Sequence, residues 1–392
     1  MGRSEVTAAV RAGIDTDAAH RAVVPPIYLS TNYTFTGLGA SAEYDYSRSG
    51  NPTRSILAEA LAELDGGAGA VVTGSGMAAI TTTLLATVPE GGLVVAPHDA
   101  YGGTWRLLDA LATRGTIQLE LRDLTAPDVD EQLRDLNPAL VWVESPSNPL
   151  LGITDIEAVS AVAHELGALV AVDNTFCSPA LQRPLTLGAD VAVQSTTKYL
   201  NGHSDVVGGV AVAADPDLAE KLCWWGNTAG FTGGAFDSYL TLRGLRTLHI
   251  RMRQHLENAA ALVEAVGAHP AVQRVHYPGL SEHPGHELAR RQMAGFGAIV
   301  AVEVAGGEAG VAAMLDGLET VSLAESLGGV ESLVCHPASM THAAMPPEVQ
   351  QAAGLTPGLV RFSVGIEAAD DLVADVRQGL DRVERTLAGG TG

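Results

Sequence analysis

Cysteine is scarce, with three residues in 392, at Cys177, Cys223 and Cys335. An odd number so widely separated argues against a disulfide framework and fits a reducing cytoplasm. Cys335 adjoins His336, but one neighbouring pair makes no metal site; the thiol reads as core packing and no metal is expected. Basic side chains are also few, 23 Lys and Arg against 45 Asp and Glu, a formal net charge of −22. So acidic a protein is a poor partner for nucleic acid or an anionic membrane. The excess is spread along the chain, which makes it a solubility device rather than a substrate signal. No apolar run approaches about 18 residues, and no basic segment followed by an apolar one opens the chain, so neither membrane spanning nor secretion is expected. Aromatic residues make up only 5%, while alanine and glycine are abundant, so helices are expected to pack closely. There is no internal repeat and no low-complexity segment.

What is present suits a large folded core. The chain is 46% hydrophobic and 17% charged, ample for two domains rather than one. Residues 1 to about 48 read as irregular: the paired prolines Pro25-Pro26 break any helix. Ile27, Tyr28, Leu29, Tyr33 and Phe35 are too apolar for a disordered tail, and such an arm suits the surface of a second subunit. From about 55 the pattern alternates. Ile56 to Leu64 is helical in composition. Apolar strands are expected at Ala70–Thr73, Leu93–Ala96, Ala139–Glu144, Ala168–Asp173 and Asp190–Gln194, and again at Val206–Ala213. Thr154 with Glu157 suggests a capping box for a helix over Asp155–Leu166. Near-continuous apolar strands separated by helices imply an α/β fold with a mainly parallel sheet covered on both faces. Ligands bind such sheets beyond the carboxyl ends of the strands. The polar clusters Gly74-Ser75-Gly76-Met77, Pro97-His98-Asp99-Ala100-Tyr101, Ser145-Pro146-Ser147-Asn148 and Asp173 all fall at such ends. Gly-Ser-Gly before a helix is either an anion site or a plain turn. A long helix from Thr247 to Val266 buries one face through Leu248, Met252, Leu256, Ala259 and Val263. Strands at Ala298–Val304 and Leu359–Val364, with a last helix near Asp370–Leu387, suggest a smaller C-terminal α/β domain.

One lysine stands out. Lys198 lies between two apolar strands, in Ser195-Thr196-Thr197-Lys198-Tyr199-Leu200-Asn201-Gly202-His203. Lysine is rarely buried unpaired, and burial eases access to the neutral amine, the nucleophile that forms Schiff bases with carbonyls. The run also permits a surface lysine on a loop. The hydroxyls of Ser195 and Thr197 favour the first reading, because they could hold a phosphate beside the amine. Lysine, phosphate donors and an acid for a ring nitrogen together suggest pyridoxal 5'-phosphate (PLP).

The lysine run resembles that of the Cys/Met-metabolism family of PLP-dependent enzymes, of fold type I. The resemblance extends over nearly the whole chain. It includes Tyr46-Ser47-Arg48-Ser49-Gly50-Asn51-Pro52-Thr53, Gly74-Ser75-Gly76-Met77, Tyr101-Gly102-Gly103, Glu144-Ser145-Pro146-Ser147-Asn148-Pro149, Asp173-Asn174-Thr175, Glu325-Ser326-Leu327-Gly328-Gly329 and Arg361. It implies an N-terminal arm over 1–48 contacting a neighbouring subunit, a PLP-binding domain over 49–245 and a C-terminal domain over 246–392. It implies that Lys198 carries PLP and shuttles protons, that Asp173 pairs with the pyridinium nitrogen and that Tyr101 stacks on the ring, Lys198 and Tyr101 being the catalytic pair. Gly76, Met77, Ser195 and Thr197 would bind phosphate, with Tyr46 and Arg48 completing that site from a neighbouring subunit. Arg361 would clamp the substrate α-carboxylate, assisted by Asn148, Ser326 and Glu325. The expected assembly is a cytoplasmic homotetramer of active dimers acting on small amino-acid substrates.

Within the family, Gly233-Gly234-Ala235-Phe236-Asp237-Ser238-Tyr239-Leu240, Trp224-Trp225 and Ala96-Pro97-His98-Asp99 resemble the bacterial γ-synthase branch. That branch exchanges the γ-acyloxy group of an O-acylhomoserine, here expected to be the succinyl ester, for the thiol of cysteine in sulfur-amino-acid metabolism. Two alternatives are a γ-lyase releasing cysteine and 2-oxobutyrate, and a PLP-binding protein with little catalysis. A substrate-carboxylate clamp argues against the last.

Overall fold

The computed structural model describes residues 3–343 and 345–389. Twelve strands are found there: β1 Gly69–Thr73, β2 Leu93–Pro97, β3 Gln118–Arg122, β4 Leu140–Glu144, β5 Leu169–Asp173, β6 Val191–Gln194, β7 Gly209–Ala213, β8 Val272–His276, β9 Ile299–Val304, β10 Ser322–Leu323, β11 Leu333–Cys335 and β12 Leu359–Ser363. The first seven form one sheet in the order β1-β7-β6-β5-β4-β2-β3. Only β7 runs against its neighbours; β2 to β6 pair in parallel. The other five form a second, mostly antiparallel sheet, β10-β11-β12-β9-β8. The expected class therefore holds: an α/β, fold-type-I architecture with a mainly parallel central sheet and a smaller C-terminal sheet.

The central strands are apolar on both faces because helices cover both. Every residue of β4 and β7 is buried. Trp142 and Val193 pack on one side with helix Gly76–Thr87, while Val143 and Val172 pack on the other with helix Ile156–Glu165. Each buried Val or Leu contributes roughly 1.5–3 kcal/mol, so these strands cannot slip register without exposing a layer. The helix Leu248–Gly267 buries Leu248, Met252, Ala259 and Val263 as its spacing requires, with Leu256 half-buried, and Ala369–Gly389 is the last helix among the described residues. No helix among the described residues is long and apolar enough to cross a membrane.

Three expectations are corrected, and four strands were not anticipated. Residues 1–48 are not wholly irregular: Glu5–Arg11 is a helix, capped by Ser4 and held down by buried Ala8 and Ala9. The cap of helix Ile156–Glu165 is Asp155, whose side chain accepts from Ala158 N–H; Thr154 instead donates its N–H to Ser145 Oγ, so the Thr154–Glu157 capping box does not form. Strand β7 starts at Gly209, not Val206: its pairing begins at Thr73↔Gly209 and Gln194↔Val210, and the absence of a Cβ on Gly209, which would lie 2.3 Å from the Ser75 carbonyl oxygen, lets the chain pass that loop. Strands β3, β8, β10 and β11 carry too much polarity, or are too short, to announce themselves: β3 reads Gln-Leu-Glu-Leu-Arg at the edge of its sheet.

Candidate active site

The carboxyl ends of β1, β2, β4, β5 and β6 face one cavity of about 370 Å³, and the C-terminal sheet closes it through Glu325, Ser326 and Arg361. Eleven of the residues singled out from the sequence line it: Gly76 and Met77; Tyr101, Asn148 and Asp173; Ser195, Thr197 and Lys198; Glu325, Ser326 and Arg361.

Lys198 sits in the loop after β6, and its Nζ donates to Ser326 Oγ at 2.5 Å. Burial, then the nearby Arg361 charge, pulls the amine from the ordinary lysine range down to about 8, against the opposing pull of Glu325 and Asp173. A neutral amine is thus within reach near physiological pH. Ser326 takes a left-handed φ of 89°, a conformation that costs a non-glycine residue energy.

Asp173 ends β5 directly beside Glu144 at the end of β4. Burial pushes both carboxyls up. Glu144 reaches about 8, raised first by burial and then by the Asp173 charge, while it accepts from Tyr101 N–H at 2.7 Å and Trp142 Nε1 at 3.2 Å. Asp173 is held back by the Thr175 N–H, 2.9 Å from its Oδ1, and by the Lys198 charge. Two such neighbours do not both ionise readily, and the Lys198 charge favours the ionised form of Asp173. Glu144 carried no role in the sequence reading. It anchors the backbone of Tyr101, whose ring is aimed into the cavity because Gly103 lacks a Cβ, which would lie 2.5 Å from that ring.

Gly76 and Met77 open the helix Gly76–Thr87, and their N–H groups have no acceptor within the helix. A Cβ on Gly76 would stand 2.9 Å from Ser195 Cβ, so the glycine leaves a cradle between the helix end and the Ser195 hydroxyl. Thr197 Oγ1 and Gly208 bond each other through N–H and carbonyl at 3.1 and 3.2 Å, fixing the hydroxyl at the cradle's rim.

Arg361, on β12, is 3% exposed. Its Nη1 donates to Asn148 Oδ1 at 2.7 Å and its Nη2 to the Ser326 carbonyl at 3.0 Å, while Nε is buried with no partner. No carboxylate of the described residues pairs with it. A buried guanidinium without an anion is costly, and Arg361 lines the same cavity as Lys198.

Tyr46 and Arg48 are the two named residues outside this cavity. Arg48 donates to the Asn227 carbonyl and Oδ1, both at 2.9 Å, and lies over the Tyr46 ring. The sequence reading missed Thr175, Phe176, Val207 and Thr341, which also line the cavity. Thr175 stands in the Asp173-Asn174-Thr175 run, so a signal for it was present; Thr341 had none, because it arrives from a loop with no strand or motif of its own.

The family model for Cys/Met metabolism PLP-dependent enzymes matches residues 6–381. The chain belongs to this family. Among its relatives, the cystathionine γ-synthase of Escherichia coli K12 is 52% identical over 379 residues, covering 97% of this chain and 98% of that protein. The crystal structure of cystathionine γ-synthase from Xanthomonas oryzae pv. oryzae with aminoacrylate and cysteine superimposes with a TM-score of 0.97 at 57% identity, covering 98% and 100%. A cystathionine γ-lyase of Bacillus subtilis is 43% identical, covering 96% and 99%.

As a member of the Cys/Met-metabolism family the chain is a PLP-dependent enzyme, and the cavity fits that cofactor. The cradle beside Gly76 could take the phosphate on N–H groups and hydroxyls. Asp173 could meet a protonated ring nitrogen, and Lys198 could bond the aldehyde carbon. The Tyr101 ring could lie flat against the pyridine.

Proposed function

We propose that the chain is a cystathionine γ-synthase: O-succinylhomoserine and L-cysteine give cystathionine and succinate. The observation that carries this reading is the pairing, across one cavity, of the Lys198 amine with a buried Arg361 that has no internal carboxylate. A catalyst acting on an α-amino acid needs both; a plain cofactor binder needs no carboxylate clamp. The γ-synthase direction is supported by the relatives' names and by Gly233–Leu240 and Trp224-Trp225, as the sequence reading noted.

In this account Arg361 and Asn148 hold the α-carboxylate, which points the Cα–H bond at Lys198. PLP, when bound, supplies the electron sink that makes that proton acidic. The Lys198 amine takes the α-proton, and Ser326 Oγ, in hydrogen-bond contact with it, holds the amine in line. The amine would pass that proton to the bound cofactor and then take a β-proton in turn; the γ-acyloxy group departs as succinate, and the cysteine thiolate forms the new bond at the γ-carbon. Lys198 returns protons to the β- and α-carbons. Tyr101 and Met77 shield one face from water. Asp173 would meet the ring nitrogen, its ionised form favoured by the Lys198 charge and the Thr175 hydrogen bonds. Tyr46 and Arg48 serve the phosphate of a neighbouring subunit, within a cytoplasmic homotetramer of active dimers. The three bodies 1–48, 49–245 and 246–392 are then arm, cofactor domain and substrate-closing domain. Exposed Leu29, Phe35 and Leu38 on the arm support a subunit contact.

A γ-lyase remains the second reading, favoured by the lyase relatives at 43% identity. Incubation with O-succinylhomoserine and cysteine is expected to yield cystathionine as the main product. Without cysteine, slow release of 2-oxobutyrate and ammonia is expected. Efficient cleavage of L-cystathionine alone, with the ester ignored, would replace the synthase by the lyase.

A further inference from the structure

A second cavity, of about 670 Å³, lies between the edge of the central sheet and the edge of the C-terminal sheet. It shares no lining residue with the Lys198 cavity. Its two walls carry opposite chemistry. On the central-sheet side Asp99 and Asp123 present carboxylates; among the described residues the largely buried Asp99 accepts from the Ser147 hydroxyl at 2.5 Å, with His98 Nδ1 4.0 Å from its other oxygen, and Asp123 Oδ1 accepts from the N–H and hydroxyl of Thr125. On the facing side the exposed side chain of Arg274, opposite Glu303 in the β8–β9 pairing, makes no hydrogen bond or ion pair among the described residues. The two histidines beside it are committed elsewhere: His276 pairs with Glu303 at 2.8 Å, and His283 Nδ1 accepts from Gly285 N–H at 3.0 Å. Glu282 stands exposed on the rim. Between the walls the floor is apolar, formed by Leu150, Ile153 and Leu280.

A carboxylate wall, a guanidinium wall and an aliphatic floor match one chemical class: a zwitterion with an apolar body. We propose that this cleft is a second binding site, for an L-α-amino acid with an aliphatic side chain, its ammonium on Asp99 and Asp123 and its carboxylate on Arg274. The site is coupled to the first through one loop. Ser147 Oγ donates to Asp99 and accepts from Gly152 N–H at 3.1 Å, and the next residue, Asn148, holds Arg361. Drawing Asp99 toward an ammonium therefore pulls on the segment that aims the substrate clamp.

The test is calorimetric titration of the holoenzyme with L-leucine, beside L-leucinamide, which lacks the carboxylate, and 4-methylpentanoate, which lacks the ammonium. Saturable binding of leucine is expected, about tenfold weaker for either analogue, since each loses a charge-assisted contact. Arg274→Gln and Asp123→Asn are each expected to weaken leucine about tenfold while leaving basal turnover and the cofactor's visible absorbance unchanged, which also verifies folding. Arg361→Lys is expected to leave this binding intact. Leucine should shift KM for the acyl ester, and Arg274→Gln should abolish that shift. Absence of saturable heat, or heat that survives Arg274→Gln and Asp123→Asn but vanishes in Arg361→Lys, overturns the site. Saturation with no movement of KM overturns the coupling.

Discussion

Replacing Arg361 by lysine isolates the carboxylate clamp. The guanidinium is spent on two internal acceptors, Asn148 Oδ1 and the Ser326 carbonyl, and its buried Nε edge is left over. A lysine keeps the charge but offers a point rather than a planar fork, and it cannot hold both internal acceptors while meeting a carboxylate in two places. Losing one charge-assisted hydrogen bond costs about 1.5–3 kcal/mol, and at roughly 1.4 kcal/mol per tenfold that is about 10- to 150-fold in kcat/KM. The assay is cystathionine formation from O-succinylhomoserine and cysteine, repeated with the α-carboxamide of the same ester. In the wild type the amide should lose a comparable factor. In Arg361→Lys the amide should lose little more, because the contact it lacks is already gone. Fully additive losses across this double-mutant cycle would show that Arg361 does not touch the carboxylate, and the clamp would have to be sought elsewhere.

Three further outcomes follow from the same geometry. Burial holds the Lys198 amine at about 8, so lowering the pH through 8 protonates it and raising the pH frees it. The rate at which the cofactor-free protein takes up PLP should therefore rise with pH and level off above about 8; a rise continuing toward the ordinary lysine value of about 10.4 would contradict the shift. Gly76→Ala should weaken cofactor retention on dialysis about tenfold or more, because its Cβ would crowd Ser195 at 2.9 Å; undiminished retention would mean that the cradle is not the phosphate site. Mixing Arg48→Ala with Lys198→Ala subunits should recover part of the activity, since one intact site per dimer can form; verified mixed dimers without activity would remove Tyr46 and Arg48 from the phosphate site.

The parts of the fold legible in the sequence are those where burial dictates composition. Strands β4 and β5 are apolar up to their last residue because both faces are covered, and their carboxyl ends, Glu144 and Asp173, stood out as sudden polarity. Lys198 was legible for the same reason: a lysine between two apolar strands is out of keeping with its surroundings. Edge strands such as β3 and β8 were not, since half of each meets solvent and the alternation fades. Glu144 shows a different limit. Its sequence position at a strand end was visible, but its proton competition with Asp173 depends on register between β4 and β5, which no single stretch encodes. Arg48 marks a third: in one chain it turns to Asn227, and the phosphate role proposed for it can be tested only in an assembly of subunits.

The most direct measurement is the ratio of two specificity constants on one preparation of holoenzyme: kcat/KM for O-succinylhomoserine at saturating cysteine, and kcat/KM for L-cystathionine alone. The account predicts a ratio well above one, with both activities lost in Lys198→Ala. A ratio below one, with the ester turned over slowly and cystathionine cleaved freely to cysteine, 2-oxobutyrate and ammonia, would contradict it.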